Sequence, residues 1–184
     1  MGCGDLPQEK GPRSQIGGGS LESEETRGST LLSSEFERAQ SYGELFTLVK
    51  RAVKNTLGIH RVGLMLYMGD LPIRVGGFHP IGTNEIIINR RLMKRPLDSR
   101  SKANIFTLLL HEYLHSLGYI DEREVRALTY QISAENFGKD HPVTKAAVIG
   151  PWLDIDIEEY EEAVEDMNLE LIRDFERVES HYII

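Results

Sequence analysis

The chain has 184 residues, of which 40% are hydrophobic and 27% charged, enough for one compact domain but too few for two independent cores. Its formal net charge is −8, so we do not expect a protein that coats nucleic acid through a basic surface. No apolar run approaches the roughly 20 residues that a membrane span needs. Cys3 is the only cysteine, which excludes a disulfide within the chain and a metal held by several thiolates. Since the sequence also shows no apolar core of a secretory signal, we expect a cytoplasmic protein.

The first 34 residues differ in composition from the rest of the chain. They hold most of the glycine-rich and polar sequence, with only isolated apolar side chains. These side chains bury too little surface to offset the entropy of ordering. We therefore predict a disordered tail over residues 1–34 and a single domain over residues 35–184.

The first part of this domain predicts a helix followed by a small sheet. From Ser34, which suits an N-cap, apolar side chains recur at helical spacing until Gly58 ends the pattern. Residues 61–68, 73–78 and 85–89 are rich in strand-forming side chains and are separated by turns that contain glycine. We expect these segments to form three strands of one sheet.

The rest of the domain predicts helices. A basic connector comes first, since residues 90–102 carry six basic side chains and one acidic side chain, a net charge of +5. The helix over residues 101–117 is apolar on most sides and must be buried. Further helices are expected from Asp121, from about Pro142 and, rich in acidic residues, over residues 156–184. The fold class is therefore α/β of the α+β kind, a small mixed sheet with an N-terminal helix, a buried central helix and C-terminal helices.

The buried helix contains the sequence His111-Glu112-Tyr113-Leu114-His115, which has the pattern H-E-x-x-H. Residues four apart lie on one helix face, so the two imidazoles can bind one zinc ion at roughly 2.0–2.1 Å. Zinc lowers the pKa of its water from about 15.7 to about 7, and the adjacent Glu can take that proton and later pass it to a leaving amine. A helix this apolar has little reason to bury two imidazoles and a carboxylate unless a metal compensates their desolvation. We therefore predict a Zn2+ cofactor on His111 and His115, with Glu112 as the catalytic base and acid.

A catalytic zinc needs a third protein ligand and one open position. Gly118 can turn the chain back after the helix, so Asp121, three residues further on, can reach the metal. Asp121 can equally cap the next helix, since Asp121-Glu122-Arg123-Glu124 matches a capping box. We take Asp121 as the third metal ligand and keep Glu122 and Glu124 as the alternatives.

Through His111, Glu112 and His115 the chain resembles the zincin metallopeptidases, which are defined by H-E-x-x-H. The longer pattern H-E-x-x-H-x-x-G-x-x-D is similar to that of the metzincins, and this likeness places the third ligand at Asp121. In the gluzincins the third ligand is a Glu on a later helix, which Glu122 resembles. The resemblance implies a zincin-like single domain that hydrolyses peptide bonds with zinc.

The same resemblance implies where a substrate binds. Minimal zincins use the last strand before the active-site helix to hold an extended peptide. By that similarity, residues 85–89 are expected to pair with the backbone of a peptide or protein substrate through an open strand edge. We expect neither a membrane nor a nucleic acid as a partner.

A second resemblance indicates a different class of enzyme. Bacterial rRNA-maturation metallohydrolases carry H-G-x-x-H-x-x-G-Y-D-H, which His111, His115, Gly118 and Tyr119 match. The basic connector at residues 90–102 would suit phosphates. The alternatives to a peptidase are therefore a metal-dependent endoribonuclease and a metal-stabilised scaffold that catalyses nothing.

Several features outside the motif give weaker expectations. The opposite charges of the C-terminal helix and the basic connector favour a packing in which this helix covers part of the cleft. Tyr119 or Tyr130 can donate to an oxyanion, although packing is the commoner role of such a side chain. Trp152 is expected to anchor the C-terminal segment in the core. We assign no role to the remaining histidines, which are His60, His79, His141 and His181.

Overall fold

The computed structural model of the chain describes residue 1 and residues 32–94, 97–150 and 166–173. These residues form an α+β arrangement, in which helices pack against one small mixed sheet. The helices are α1 (Tyr42–Leu57), α2 (Ser99–Ser116), α3 (Glu122–Phe137) and α4 (Pro142–Ile149), and the strands are β1 (Met65–Gly69), β2 (Gly77–Phe78), β3 (Glu85–Asn89) and β4 (Glu170–Ile172). A 3-10 helix, Arg90–Lys94, connects β3 to α2, and a further helical segment spans residues 32–38.

The described structure begins inside the predicted tail. Residues 32–38 are helical, and Leu32 and Phe36 are buried in the core. Three residues of the predicted tail, residues 32–34, thus belong to this helical segment. The remainder of the predicted tail, residues 2–31, lies outside the described residues.

The first predicted helix is interrupted. Ser41 is the N-cap of α1, and its hydroxyl accepts a hydrogen bond from the backbone N–H of Glu44 while the Glu44 carboxylate accepts one from the backbone N–H of Ser41. This capping box makes a new helix begin at Tyr42, because it satisfies donors that a continuous helix would bond internally. Gly58, in the left-handed conformation with φ of 68°, ends α1 at the predicted residue.

The sheet has the strand order β2-β3-β1-β4. β1 is parallel to β3, and the other neighbours are antiparallel. The three strands predicted from the sequence are all present, although β1 and β2 are shorter than predicted. Leu66, Ile86 and Ile88 are buried against the helices, so one face of the sheet contributes to the core. In the described part of the chain, β2 and β4 form the two edges and β3 lies inside the sheet.

α2 is buried, as its apolar sequence predicts. It begins at the N-cap Asp98, whose carboxylate accepts a hydrogen bond from the backbone N–H of Ser101 at 2.7 Å. Burial of each large apolar side chain contributes about 1.5–3 kcal/mol to stability. The large side chains of α2 that join the core are Ile105, Phe106, Leu108, Leu109, Leu110, Tyr113 and Leu114.

No helix in the described part of the chain is long and apolar enough to cross a membrane.

α3 runs back along α2. Glu122, the first residue of α3, lies beside His111 and His115 near the end of α2. Phe137, the last residue of α3, packs edge-on against Phe106, nearer the start of α2, with 5.1 Å between ring centroids. Successive turns of α3 therefore approach successively earlier turns of α2.

The acidic C-terminal segment is not helical where the structure describes it. Residues 166–173 are extended, and β4 pairs antiparallel with β1. The helical prediction over residues 156–184 is therefore wrong for this stretch, because the unpaired edge of β1 offers backbone hydrogen bonds that only an extended segment can make. Residues 151–165, which include Trp152, and residues 174–184 lie outside the described residues.

Candidate metal centre

The two histidines of the motif converge. His111 and His115 lie one turn apart on α2, with their Nε2 atoms 3.1 Å apart and their ring centroids 4.8 Å apart. The side chains retain 21% and 18% of their accessible surface, so the pair is partly open to solvent. The spacing in the sequence predicts this convergence, and the structure confirms it.

A backbone carbonyl fixes the ring of His115. Its Nδ1 lies 2.8 Å from the carbonyl oxygen of Tyr119, which can only accept a hydrogen bond. The proton therefore belongs on Nδ1, and the lone pair of Nε2 faces His111. Gly118, with φ of 100°, makes the turn that carries the Tyr119 carbonyl back to this position.

Glu122 completes the group from the start of α3. Its Oε1 lies 3.2 Å from Nε2 of His115, and its Oε2 lies 3.4 Å from Nε2 of His111. The Glu122 side chain is 61% exposed, so the group opens to solvent on this side. In the ranges that the structure describes, these three residues are the one group of histidine, cysteine or carboxylate side chains whose potential ligand atoms all lie within 4.8 Å of one another.

The spacing of these atoms fits zinc. When ligand atoms surround a metal tetrahedrally at about 2.05 Å, neighbouring ligand atoms lie about 3.3 Å apart. The two Nε2 atoms lie 3.1 Å apart, and those of His115 and His111 lie 3.2 and 3.4 Å from the two different oxygens of the Glu122 carboxylate. Two imidazoles and one carboxylate are also a donor set that zinc accepts in catalytic sites, which leaves a fourth position open.

Asp121 has the capping role that the sequence offered as its other function. Its Oδ1 accepts hydrogen bonds from the backbone N–H groups of Arg123 and Glu124, both at 2.9 Å, as the N-cap of α3. A cap directs its carboxylate onto its own helix, whereas the next residue projects sideways towards α2. The structure therefore brings Glu122, one of the alternatives, to the two histidines, and neither Asp121 nor Glu124 belongs to the group.

His111 is held in the form that a metal ligand needs. Burial lowers the pKa of His111, the Glu122 carboxylate opposes that effect, and the charges of His115 and Arg126 reinforce it. A neutral imidazole has a free lone pair, whereas a protonated one cannot bind a cation. Together these effects lower the pKa of His111 and favour its neutral form, which can bind a metal ion, near neutral pH.

Glu112, the predicted catalytic residue, is buried beside the histidines with 5% of its surface exposed. Burial raises the pKa of its carboxyl to about 8, and the Glu122 carboxylate acts in the same direction. The backbone N–H of His79 lowers the pKa of Glu112 and so opposes this rise. Glu112 is therefore poised to bind and release a proton near neutral pH.

The strand beside Glu112 is β2, not β3. A Cβ built on Gly77 would lie 3.5 Å from Cγ of Glu112 and 3.4 Å from Cδ1 of Leu108, so β2 passes directly over α2. Only glycine allows this approach, because the same Cβ would lie 2.8 Å from the carbonyl oxygen of Ile87. Sequence reasoning assigned no role to this strand and could have used Gly77 as a signal of close backbone approach.

The predicted substrate strand, Glu85–Asn89, is already paired on both sides. Ile87 and Ile88 pair with β2 on one side and with β1 on the other. The backbone N–H of Asn89 donates to the carbonyl of Gly76, and the ring of His79 donates from Nδ1 to the carbonyl of Glu85. The expected open edge at β3 is therefore occupied, and the edge beside Glu112 that no described residue pairs with is that of β2.

Two cations of the basic connector, Arg90 and Lys102, are engaged within the described part of the chain. Arg90 pairs with Asp70 at 3.1 Å and with Glu170 at 3.3 Å. Lys102 is buried and donates to the carbonyl of Glu37 at 2.7 Å. The predicted contact between the connector and the acidic segment is thus present at Arg90, but β4 lies at the sheet edge opposite β2. The described residues of the acidic segment therefore do not cover the metal centre.

Two histidines to which the sequence gave no role have structural ones. The backbone N–H of His79 contacts Glu112, as described above, and His141 is the N-cap of α4, where its Nδ1 accepts a hydrogen bond from the backbone N–H of Val143. Neither role follows from residue spacing, because the first depends on strand order and the second on a ring nitrogen that replaces the usual cap oxygen.

Comparison with known protein families, with curated proteins and with solved structures finds no match to this chain.

Proposed function

We propose that the protein is a zinc-dependent peptidase of the zincin type, with zinc held by His111, His115 and Glu122. The observation that carries this proposal is the convergence of two imidazole nitrogens and one carboxylate on a common point, with a buried carboxyl group, that of Glu112, beside it. Buried carboxyl groups with strongly raised pKa values are concentrated at catalytic sites. A purely structural metal site has no need for such a neighbour.

The chemistry of the site follows from Glu112. When bound, zinc supplies a Lewis acid that polarises a carbonyl group and makes water acidic enough to lose a proton near neutral pH. Glu112 accepts the proton of the attacking water, with its carboxylate form stabilised by the backbone N–H of His79. Because burial favours the protonated carboxyl, Glu112 then donates the proton to the leaving amine.

An extended substrate fits the open edge of β2. Backbone groups of Gly77 and Phe78 on the side away from β3 are available to a peptide that adds a strand to the sheet. A peptide on that edge passes over Glu112, because Gly77 lies against Glu112. This arrangement moves the substrate strand predicted at residues 85–89 to its neighbour, residues 77–79.

Part of the feature that would support the ribonuclease alternative is engaged within the protein. Binding of RNA needs cations that are free to meet phosphates, and Arg90 and Lys102 of the basic connector are used inside the protein. The presence of Glu112, a proton acceptor beside the metal ligands, also favours peptide hydrolysis.

The variant Glu112→Gln tests the proposal. Zinc-loaded wild type should cleave members of a peptide library, whereas Glu112→Gln should bind one equivalent of zinc and lose turnover by about 100-fold or more, since it lacks the proton acceptor. Glu124→Gln is the matched control, because Glu124 is exposed on α3 and outside the metal group. Normal cleavage by Glu112→Gln would contradict the mechanism. Zinc binding without cleavage of any peptide would favour the scaffold.

A further inference from the structure

One cation beside the metal centre has no partner in the described part of the chain. Arg126 is exposed on α3, and its guanidinium makes no hydrogen bond or ion pair with the described residues. Glu122, four residues earlier, is well placed for an i,i+4 ion pair with Arg126, but its carboxylate faces the two histidines instead. With Glu122 engaged by a metal, Arg126 remains available to an anion.

Arg126 lies at the His111 end of the centre. Residues four apart on a helix differ by about 40° around its axis, so Arg126 and Glu122 project from the same face of α3. Since α3 runs back along α2, the position one turn after Glu122 approaches the earlier histidine. The charge of Arg126 also contributes to the lowered pKa of His111, in agreement with this placement.

The direction of β2 shows which end of a peptide would reach Arg126. Gly77 lies against Leu108 and Glu112, whereas the loop after β2 is tied to the end of α2 by Arg61, which donates to the carbonyls of Thr83 and Ser116. β2 therefore runs in the same sense as α2. An added strand is more often antiparallel, and such a peptide would run from the Ser116 end towards the Leu108 end. Its C-terminal side would then lie beside Arg126.

The charges around the cleft agree with this orientation. Arg74, three residues before Gly77, is a second exposed cation at the Leu108 end and has no ion pair among the described residues. A peptide with a free carboxylate at its C-terminus is therefore electrostatically matched to the Arg126 end.

We infer that Arg126 binds the terminal α-carboxylate of a peptide substrate and so directs cleavage to bonds near the C-terminus. This inference rests on the proposed function, because it assigns to that same site the direction in which a peptide lies and the class of substrate. An arginine suits the role, since its planar guanidinium binds a carboxylate through two parallel hydrogen bonds. The enzyme is then a carboxypeptidase-type hydrolase that prefers a free C-terminus.

A binding experiment tests Arg126 without turnover. Zinc-loaded Glu112→Gln protein is titrated calorimetrically with a short peptide acid and with the same peptide as its C-terminal amide. We expect the acid to bind about 10-fold or more tighter, the range for a hydrogen-bonded ion pair. In Glu112→Gln/Arg126→Ala the acid and the amide should bind alike. Arg123→Ala in the same background is the control, because Arg123 is exposed on α3 but lies about 100° around the helix from Glu122.

Cleavage of the same peptides by the wild type separates the two proposals. We expect mass spectrometry to show release of C-terminal residues from the acid, with KM for the acid raised in Arg126→Ala and cleavage of the amide unchanged. Equal binding of acid and amide, or a preference that survives Arg126→Ala, would overturn the carboxylate site. Preferential binding of the acid without any cleavage would overturn the peptidase and leave Arg126 as a carboxylate-binding residue.

Discussion

Gly77 lies directly against Glu112, since a Cβ built on Gly77 would lie 3.5 Å from Cγ of Glu112, so the edge of the sheet and the centre of the H-E-x-x-H motif are in direct contact. This contact has a mechanistic consequence. Any displacement of residues 77–79 changes both the path of a bound peptide and the charge stabilisation of Glu112. In the proposed peptidase, substrate binding and proton transfer are therefore coupled through a single strand.

Removal of the third ligand should weaken zinc binding selectively. We expect Glu122→Ala to lower zinc affinity by about 100-fold or more, beyond the 10–100-fold typical of an outer-sphere partner. Asp121→Ala should retain zinc and lose about 1 kcal/mol of unfolding free energy, because only the N-cap of α3 is removed. Competition with a chelator of known affinity and urea denaturation measure these effects. Full zinc affinity in Glu122→Ala, with loss in Asp121→Ala, would restore the ligand expected first from the sequence.

The stability of the metal-free protein should depend on pH through Glu112. The pKa of Glu112 rises from 4.5 to about 8 on folding, so its contribution is fully present below pH 4.5 and is lost as the pH rises through about 8. Glu112→Gln mimics the neutral carboxyl and should therefore gain stability relative to wild type as the pH rises, with the largest difference above pH 8. Urea denaturation with a chelator at pH 5, 7 and 9 measures this difference.

Glu124→Gln, an exposed glutamate with the same change of charge, should show no comparable trend. A stability difference between Glu112→Gln and wild type that stays constant from pH 5 to 9 would mean that Glu112 does not change its protonation over this range.

A side chain at Gly77 should damage catalysis more than zinc binding. The added methyl of Gly77→Ala would lie 2.8 Å from the carbonyl oxygen of Ile87 and 3.5 Å from Cγ of Glu112. β2 must therefore shift outward, at a cost of about 1–3 kcal/mol for overpacking. We expect a lower kcat/KM with unchanged zinc content. Ile81→Ala serves as the control, because Ile81 is exposed in the loop after β2, and equal loss of activity in both variants would contradict this role for Gly77.

Arg90→Ala should loosen β4 without affecting the metal centre. Arg90 joins Asp70 to Glu170 and also donates to the carbonyl of Asn168 at 2.9 Å. Its loss should speed amide hydrogen exchange in residues 170–172, while zinc content and peptide cleavage remain within about 2-fold of wild type, since β4 lies at the edge opposite β2. A marked rise in cleavage would instead support a C-terminal segment that restrains the site.

Local patterns predicted much of the fold. The buried helix α2, the start of α3 at Asp121 and the strand β3 follow from apolar periodicity, caps and strand propensity, all of which act within a few residues. The interruption before α1 also had a local signal, since Ser41 and Glu44 have the spacing of a capping box. The helical prediction for residues 170–172 was wrong because pairing with β1 is a long-range interaction that overrides local periodicity.

The metal centre was predictable in part for the same reason. Helical spacing alone places His111 and His115 together and leaves Glu112 beside them. The choice between Asp121 and Glu122 depends on which residue caps α3, a difference of one position that the sequence leaves open. The strand that lies beside Glu112 depends on the order of strands in the sheet, which no local pattern encodes.

His111, His115 and Glu122 lie within twelve consecutive residues, so only a short loop has to close before they meet. If zinc binds as proposed, a nascent helical hairpin can therefore bind it early in folding, whereas the edge over Glu112 exists only after three distant strands have assembled. Damage to the sheet should accordingly yield chains that are loaded with metal and yet inert.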